Sequence, residues 1–190
     1  FERRLTDISG GNISARDGDR MFITPRYAGS RQFWALSADD IMSAAIDDDG
    51  FLEHPRCSRE SRIHLGIYRS FPEVTGIIHA HPYHALPFCV AERPIEMVLE
   101  STQHFGPIEL VAAAAANSQA LADNVVRGLQ EKRAAIAQQA GAVLLPRHGI
   151  VVAGLDLAAT VDATERIEWN AWCVLAQKLI PEIPVGYRFG

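Results

Sequence analysis

Thr75-Gly76-Ile77-Ile78-His79-Ala80-His81-Pro82 is the stretch on which the fold and chemistry of this chain turn. The β-rich composition of Thr75 to His81 predicts a strand, and Pro82 ends it because it cannot donate to a ladder. Side chains two apart on a strand point to one face, so His79 and His81 can address a single point in space. The break at Pro82 puts the pair at the strand's edge, where a site can open.

Working outward, strand and helix signals interleave. Arg20 to Thr24 reads as a short strand stopped by Pro25, and Ile41 to Ile46 as another, ending in the turn Asp47-Asp48-Asp49-Gly50. Ser58 reads as the N-cap of a helix from Arg59 to about Ser70, stopped by Phe71-Pro72. Ser118 to Ala140 predicts one long amphipathic helix. Ala142 to Leu145 and Ile150 to Ala153 predict two strands around a Pro-Arg-His-Gly corner. Leu157 to Leu179 predicts a final helix, closed by Pro181. Several connections between strands are tight, which favours a layered α/β domain with a mixed sheet over a regular parallel one. The whole of 1–190 reads as a single domain, with no repeat and no low-complexity linker.

Composition excludes some partners. With a net charge of -5 and no basic stripe, nucleic acid is not an expected partner. No apolar run reaches membrane-spanning length. Three widely spaced cysteines, Cys57, Cys89 and Cys173, suit a reducing cytoplasm rather than a disulfide framework. The chain opens at Phe1 without a Met, so further N-terminal residues are expected.

The third candidate ligand, His148, stands 67 residues after His81 at the predicted strand corner, directly before Gly149. Three neutral imidazoles with an open fourth position make a catalytic metal site. With seven histidines in the chain, about a quarter of an i,i+2 pair arises by chance, so spacing alone leaves simple packing open. His54, His64, His84 and His104 have no such arrangement and read as surface or packing residues. Glu60, in the predicted first helical turn, either complements the helix dipole or serves as a general base. His64, one turn on, either orients Glu60 or packs under the sheet. Ser9-Gly10-Gly11-Asn12-Ile13-Ser14 is turn-rich, and its backbone N–H groups can form an anion nest. Arg16, Arg26 and Arg59 are available as carboxylate or phosphate forks.

Taken in order, these pieces resemble the class II aldolase/adducin family, which includes fuculose-phosphate and rhamnulose-phosphate aldolases and ribulose-phosphate 4-epimerase. The matching pieces are Gly11-Asn12-Ile13-Ser14, Phe22-Ile23-Thr24-Pro25, Ser58-Arg59-Glu60 with His64 and Tyr68, Ile78-His79-Ala80-His81, and Arg147-His148-Gly149-Ile150. They span about residues 8 to 175. The resemblance implies a three-layer α-β-α sandwich with a mixed, mostly antiparallel central sheet. It implies one divalent ion on His79, His81 and His148, zinc first, with Mn, Fe, Co or Ni able to occupy the same ligands. It implies Glu60 as the acid/base residue. It implies a homo-oligomer, a tetramer, and a small anionic substrate, whose charged end is expected at the Gly11-Asn12 turn with Thr24, Ser58 and Arg59 around it. The expected reaction is retro-aldol cleavage of a small sugar phosphate or related hydroxy-ketone through a metal-stabilised enediolate. The alternatives are metal-dependent decarboxylation of a hydroxy- or oxo-acid, 4-epimerisation, and a non-catalytic adducin-like scaffold. The three histidines argue against the scaffold, and Glu60 in place of the epimerases' Asp argues for the aldolase side.

Three departures stand out. Arg59 replaces the second serine of the aldolases' Ser-Ser-Glu. Arg26-Tyr27-Ala28-Gly29-Ser30 stands where a Ser-Gly or Thr-Gly pair often follows Thr-Pro. The tyrosine proton donor has no clear match: Tyr83 is too close to the histidine pair, Glu100 stands near the expected place, and Tyr187 matches a terminal tyrosine only loosely.

Overall fold

The computed structural model describes residues 1–180. Its strands are β1 (Asn12–Asp17), β2 (Arg20–Ile23), β3 (Met42–Ala45), β4 (Gly76–Ala80), β5 (Ala140–Leu145) and β6 (Gly149–Gly154). Its α-helices are α1 (Ala28–Gln32), α2 (Ser61–Ser70), α3 (Leu86–Ala91), α4 (Gln119–Gln130), α5 (Arg133–Gln138) and α6 (Leu157–Ala176). The strands form one sheet in the order β3-β2-β1-β4-β6-β5. Every pairing of these strands is antiparallel. The only parallel element among the described residues is an isolated bridge between Leu110 and Leu144, so the expected mixed character shrinks to that one contact.

Strand alternation sorts the side chains into two cores. Ile77, Val143, Val151 and Ala153 join residues of α2, α4 and α5 on one face. Ile78, Ala80, Ala142, Leu144, Ile150 and Val152 join residues of α3 and α6 on the other. Helices on both faces of a sheet give the α-β-α sandwich. β4, β5 and β6 are buried along their whole length, because both faces are covered. Among the described residues no helix is long and apolar enough to cross a membrane.

Several elements depart from the sequence expectation. β1 read as loop, because its residues facing α2 are Asn12 and Ser14, which are polar yet buried, and no apolar alternation marks the strand. The single helix expected over 118–140 is two: the chain turns at Glu131–Lys132, and Ile136 of α5 then packs against Gly141 of β5. α2 begins at Ser61 rather than Arg59, with Glu60 in the N-cap position. The reason is that Ser58 does not cap. Its backbone carbonyl accepts Ser61 N–H in a turn (3.1 Å), and its hydroxyl is engaged by Asn12 across 2.8 Å.

Candidate metal centre

β4 carries His79, and His81 lies one residue past its end, on the same face as Ile77. His79 is paired with Asn12 of β1 on one side and Val151 of β6 on the other, so it is buried in mid-sheet. His148 arrives from the β5–β6 connection, where Arg147 takes the left-handed conformation (φ 56°) that reverses the chain. The sequence placed His148 at this corner, and the strands on either side are there.

One nitrogen of each of the three imidazoles lies within 4.8 Å of the others. That is close to the span one ion can bridge with ligand bonds of about 2.0–2.1 Å. The outward nitrogens explain which atoms face the centre. His79 Nδ1 donates to the Ile150 carbonyl at 3.1 Å, which leaves Nε2 as the lone-pair nitrogen. His81 Nδ1 sits 3.3 Å from the Asp7 carboxylate, and His81 Nε2 is buried without any hydrogen-bond partner. A buried nitrogen left unpaired is costly. Coordination would satisfy it, so the donor set fits a divalent ion.

The electrostatics agree. Burial, reinforced by the neighbouring imidazoles, drives His79 well below its ordinary pKa. Burial, then His81 and Arg59, pushes His148 down to about 4. These two rings are therefore neutral at pH 7, the form that ligates metals. Packing holds His81 from two sides: a Cβ on Gly10 would meet His81 Cε1 at 2.4 Å, and one on Gly149 would meet Cδ2 at 2.8 Å.

Glu60 makes no capping bond despite its N-cap position. Its Oε1 lies 3.8 Å from His148 Nε2, and its Oε2 is buried without a partner. Burial raises its pKa, and the Asn117 backbone N–H and the Arg59 guanidinium offset only part of that.

A cavity of about 260 Å³ opens over this centre. The three histidines and Glu60 line it, and so do Gly11, Asn12, Ser58 and Arg59 of the expected substrate contacts. Gly11 holds φ 103°, and a Cβ there would meet Thr6 Oγ1 at 2.6 Å, so the turn requires glycine. Thr24 does not line the cavity: its hydroxyl accepts the Ile13 N–H at 3.1 Å. Glu100 is not there either. It is exposed at the start of a 3-10 turn (Glu100–Phe105) that packs with α6 on the other face. Tyr187 lies outside the described residues.

Sequence reading missed Asp7. Its Oδ1 accepts Ser9 N–H at 2.7 Å and Gly10 N–H at 3.1 Å while Oδ2 faces His81. The Asp-x-Ser-Gly turn is a legible local signal, but its reach across 74 positions to His81 is not. Arg26 and Trp34 also line the cavity, and Trp34 Nε1 donates to the Asp7 carbonyl.

Residues 1–175 match the family described as Class II Aldolase and Adducin N-terminal domain. The chain belongs to this family. Its class is that of an aldolase-type lyase. It is 28% identical over 181 residues to an L-fuculose phosphate aldolase of Methanocaldococcus jannaschii, covering 95% of this chain and 92% of that one. It is 27% identical over 169 residues to the L-fuculose phosphate aldolase of Methanococcus maripaludis, covering 88% and 86%. The crystal structure of L-fuculose-1-phosphate aldolase from Thermus thermophilus shares the fold with a TM-score of 0.80 at 22% identity, covering 96% and 92%.

Proposed function

We propose that this aldolase-family protein cleaves a carbon–carbon bond of a small anionic hydroxy-ketone, a sugar phosphate or close relative, at the His79–His81–His148 centre. The observation that carries the reading is the pairing of two unsatisfied buried atoms in one cavity, His81 Nε2 and Glu60 Oε2. When bound, a divalent cation, zinc by the imidazole donor set, supplies Lewis-acid polarisation of a carbonyl oxygen.

The protein's own groups supply the rest. In retro-aldol cleavage the hydroxyl beyond the breaking bond loses its proton and becomes the aldehyde carbonyl, the bonding pair stays on the carbon beside the polarised carbonyl, and a proton is delivered to that carbon, so the net change is one proton moved from oxygen to carbon. In the condensation direction the same proton is removed. Glu60 suits both roles, because its carboxyl faces the cavity and burial raises its pKa above that of an exposed carboxylate, which makes it a better proton acceptor. The negatively charged end of the substrate lies at the Gly11–Asn12 turn, against Ser58 and Arg59, all of which face the same cavity.

Arg26, which lines the same cavity as Arg59, favours a second reading, in which a carboxylate occupies that end and the centre assists loss of carbon dioxide from a hydroxy- or oxo-acid. A screen of sugar phosphates and hydroxy- or oxo-acids, with and without zinc, separates the two. Aldehyde and ketone products support cleavage, carbon dioxide supports decarboxylation, and turnover that ignores metal removal defeats both.

We also propose a homotetramer. Of the apolar residues on α6, Ile167 is core and Val174 packs against it, but Trp169 and Trp172 are 59% and 40% exposed. Light scattering on the purified protein should give four times the chain mass. A monomer at micromolar concentration contradicts it.

A further inference from the structure

Five buried side chains run in a line from the interior of α2 to the cavity wall. Tyr68 OH lies 2.8 Å from Ser14 Oγ, and Ser14 Oγ lies 2.6 Å from His64 Nδ1. His64 Nε2 hydrogen-bonds Asn12 Oδ1, and Asn12 Nδ2 reaches Ser58 Oγ at 2.8 Å. Each of the five is less than a tenth exposed, and Tyr68, Ser14 and His64 are at 1%, 1% and 0%. Only Asn12 and Ser58 line the cavity.

Such a line has two self-consistent directions. Burial pushes the His64 pKa down to about 3, so the ring is neutral and offers one donor and one acceptor. In the first direction Tyr68 donates to Ser14, Ser14 to His64 Nδ1, His64 Nε2 to Asn12 Oδ1, and the Asn12 amide to Ser58. Every hydroxyl and ring N–H hydrogen of the line is used, except that of Ser58, which is free to point into the cavity. In the second, the Asn12 amide is turned over and every bond reverses. Ser58 then donates inward, and the Tyr68 hydroxyl hydrogen has no acceptor, because Ser14 is its only hydrogen-bond partner among the described residues. An unmade donor buried at 1% exposure is unfavourable, whereas a free hydrogen at the cavity can be satisfied by water or a ligand.

The geometry points to Tyr68, Ser14 and His64 as positioning residues that fix Ser58 as a hydrogen-bond donor to the oxyanion of the substrate, phosphate or carboxylate. The buried end of the line sets what the cavity end presents. The hydroxyl of Tyr68 thereby influences anion affinity without touching the anion. This inference rests on the reading that the substrate's anionic end lies beside Ser58.

The test measures inorganic phosphate binding to the zinc-loaded protein by calorimetry, for wild type, Tyr68→Phe, Ser58→Ala and the double variant. Ser58→Ala should weaken phosphate about tenfold or more, as for loss of a hydrogen bond to a charged group. Tyr68→Phe should weaken it several-fold while zinc affinity stays unchanged, and should add nothing in the Ser58→Ala background. A Tyr68→Phe effect that persists unchanged in that background, or no Tyr68→Phe effect at all, overturns the relay while leaving the anion's placement intact. Failure of wild type to bind phosphate, or indifference to Ser58→Ala, overturns the placement and the relay's purpose with it. Nitrogen NMR of the His64 ring checks the direction independently. A proton on Nε2 is expected, and a proton on Nδ1 overturns the proposal.

Discussion

Two glutamates sit on opposite faces of the same sheet with nearly the same burial, Glu60 at 5% exposure and Glu168 at 6%. Their surroundings differ completely. Glu168 of α6 accepts the His84 backbone N–H at 2.7 Å and the Ala85 N–H at 3.0 Å, and its Oε1 lies 2.8 Å from His84 Nδ1. Both oxygens are satisfied, and they pin the chain where α3 begins. Next to it on α6, Asn170 accepts from Val98 N–H at 2.8 Å and donates to the Glu96 carbonyl at 2.7 Å. This face has a buried polar cluster whose side chains tie down loops. Glu60 instead keeps an unpaired buried oxygen beside three imidazoles, one of which also keeps an unpaired nitrogen. Burial of a polar group therefore does not by itself separate structural from chemical roles. The hydrogen-bond inventory together with the cavity does, because an unsatisfied carboxylate oxygen and an unsatisfied imidazole nitrogen that line one cavity are open to a ligand, whereas Glu168 has no free oxygen.

Substitution at these two positions should give opposite outcomes. The largest effect belongs to Glu60→Gln. It keeps the shape and removes the proton acceptor, so turnover on the true substrate should fall by about 10²–10⁴-fold, with melting temperature unchanged or raised. Near wild-type turnover would return Glu60 to a passive role. Acid should act mainly on the Glu60 side. Burial holds His148 at about 4 and His64 at about 3, below the 6.5 of the exposed ring. As pH falls the unfolded chain binds these protons first. The stability from these two groups is thus fully present above about pH 6.5 and is lost as pH falls towards about 4 and then about 3. Urea midpoints of the metal-free protein should drop steadily across that window, and a flat profile would contradict it.

Glu168→Ala should do the reverse of Glu60→Gln. It strands two backbone donors at the start of α3, costing about 1–3 kcal/mol for each buried group left unpaired, while the folded fraction keeps its turnover. Loss of turnover without loss of stability would dissolve the contrast between the two faces. The smallest effect is expected at Asp7→Asn. The charge that faces His81 Nδ1 is lost and a weaker neutral acceptor stands in its place, so zinc affinity measured by chelator competition should fall about tenfold. Unchanged affinity would make Asp7 a loop residue only.

Much of the centre was legible. The i,i+2 spacing put His79 and His81 on one face, Pro82 marked where the strand ends, and Pro146-Arg147-His148-Gly149 marked the corner that delivers His148. What stayed hidden shares one cause. β1 was invisible because its inward residues, Asn12 and Ser14, are polar, and they are polar because they serve the relay to His64 and Ser58. The helix start was misplaced by two residues for the same reason, since Ser58 is drawn to Asn12 rather than to the helix it precedes.

The amino-acid sequence was enough to single out His79, His81 and His148 as candidate ligands, to fix the parity that sends His79 and His81 to one face, and to set the order of motifs that marks the family. These are local properties: alternation along a strand and the stops imposed by proline and glycine need no knowledge of the rest of the chain. The tertiary structure alone decided that β1 lies between β2 and β4, which sets Asn12 beside His79 and brings α2 over both. It alone decided that Asp7 meets His81, that Thr24 turns into the sheet, and that Glu60 and not Glu168 is left unsatisfied. Whether a buried polar group is satisfied depends on partners dozens of residues away, and those partners are set by how the layers pack.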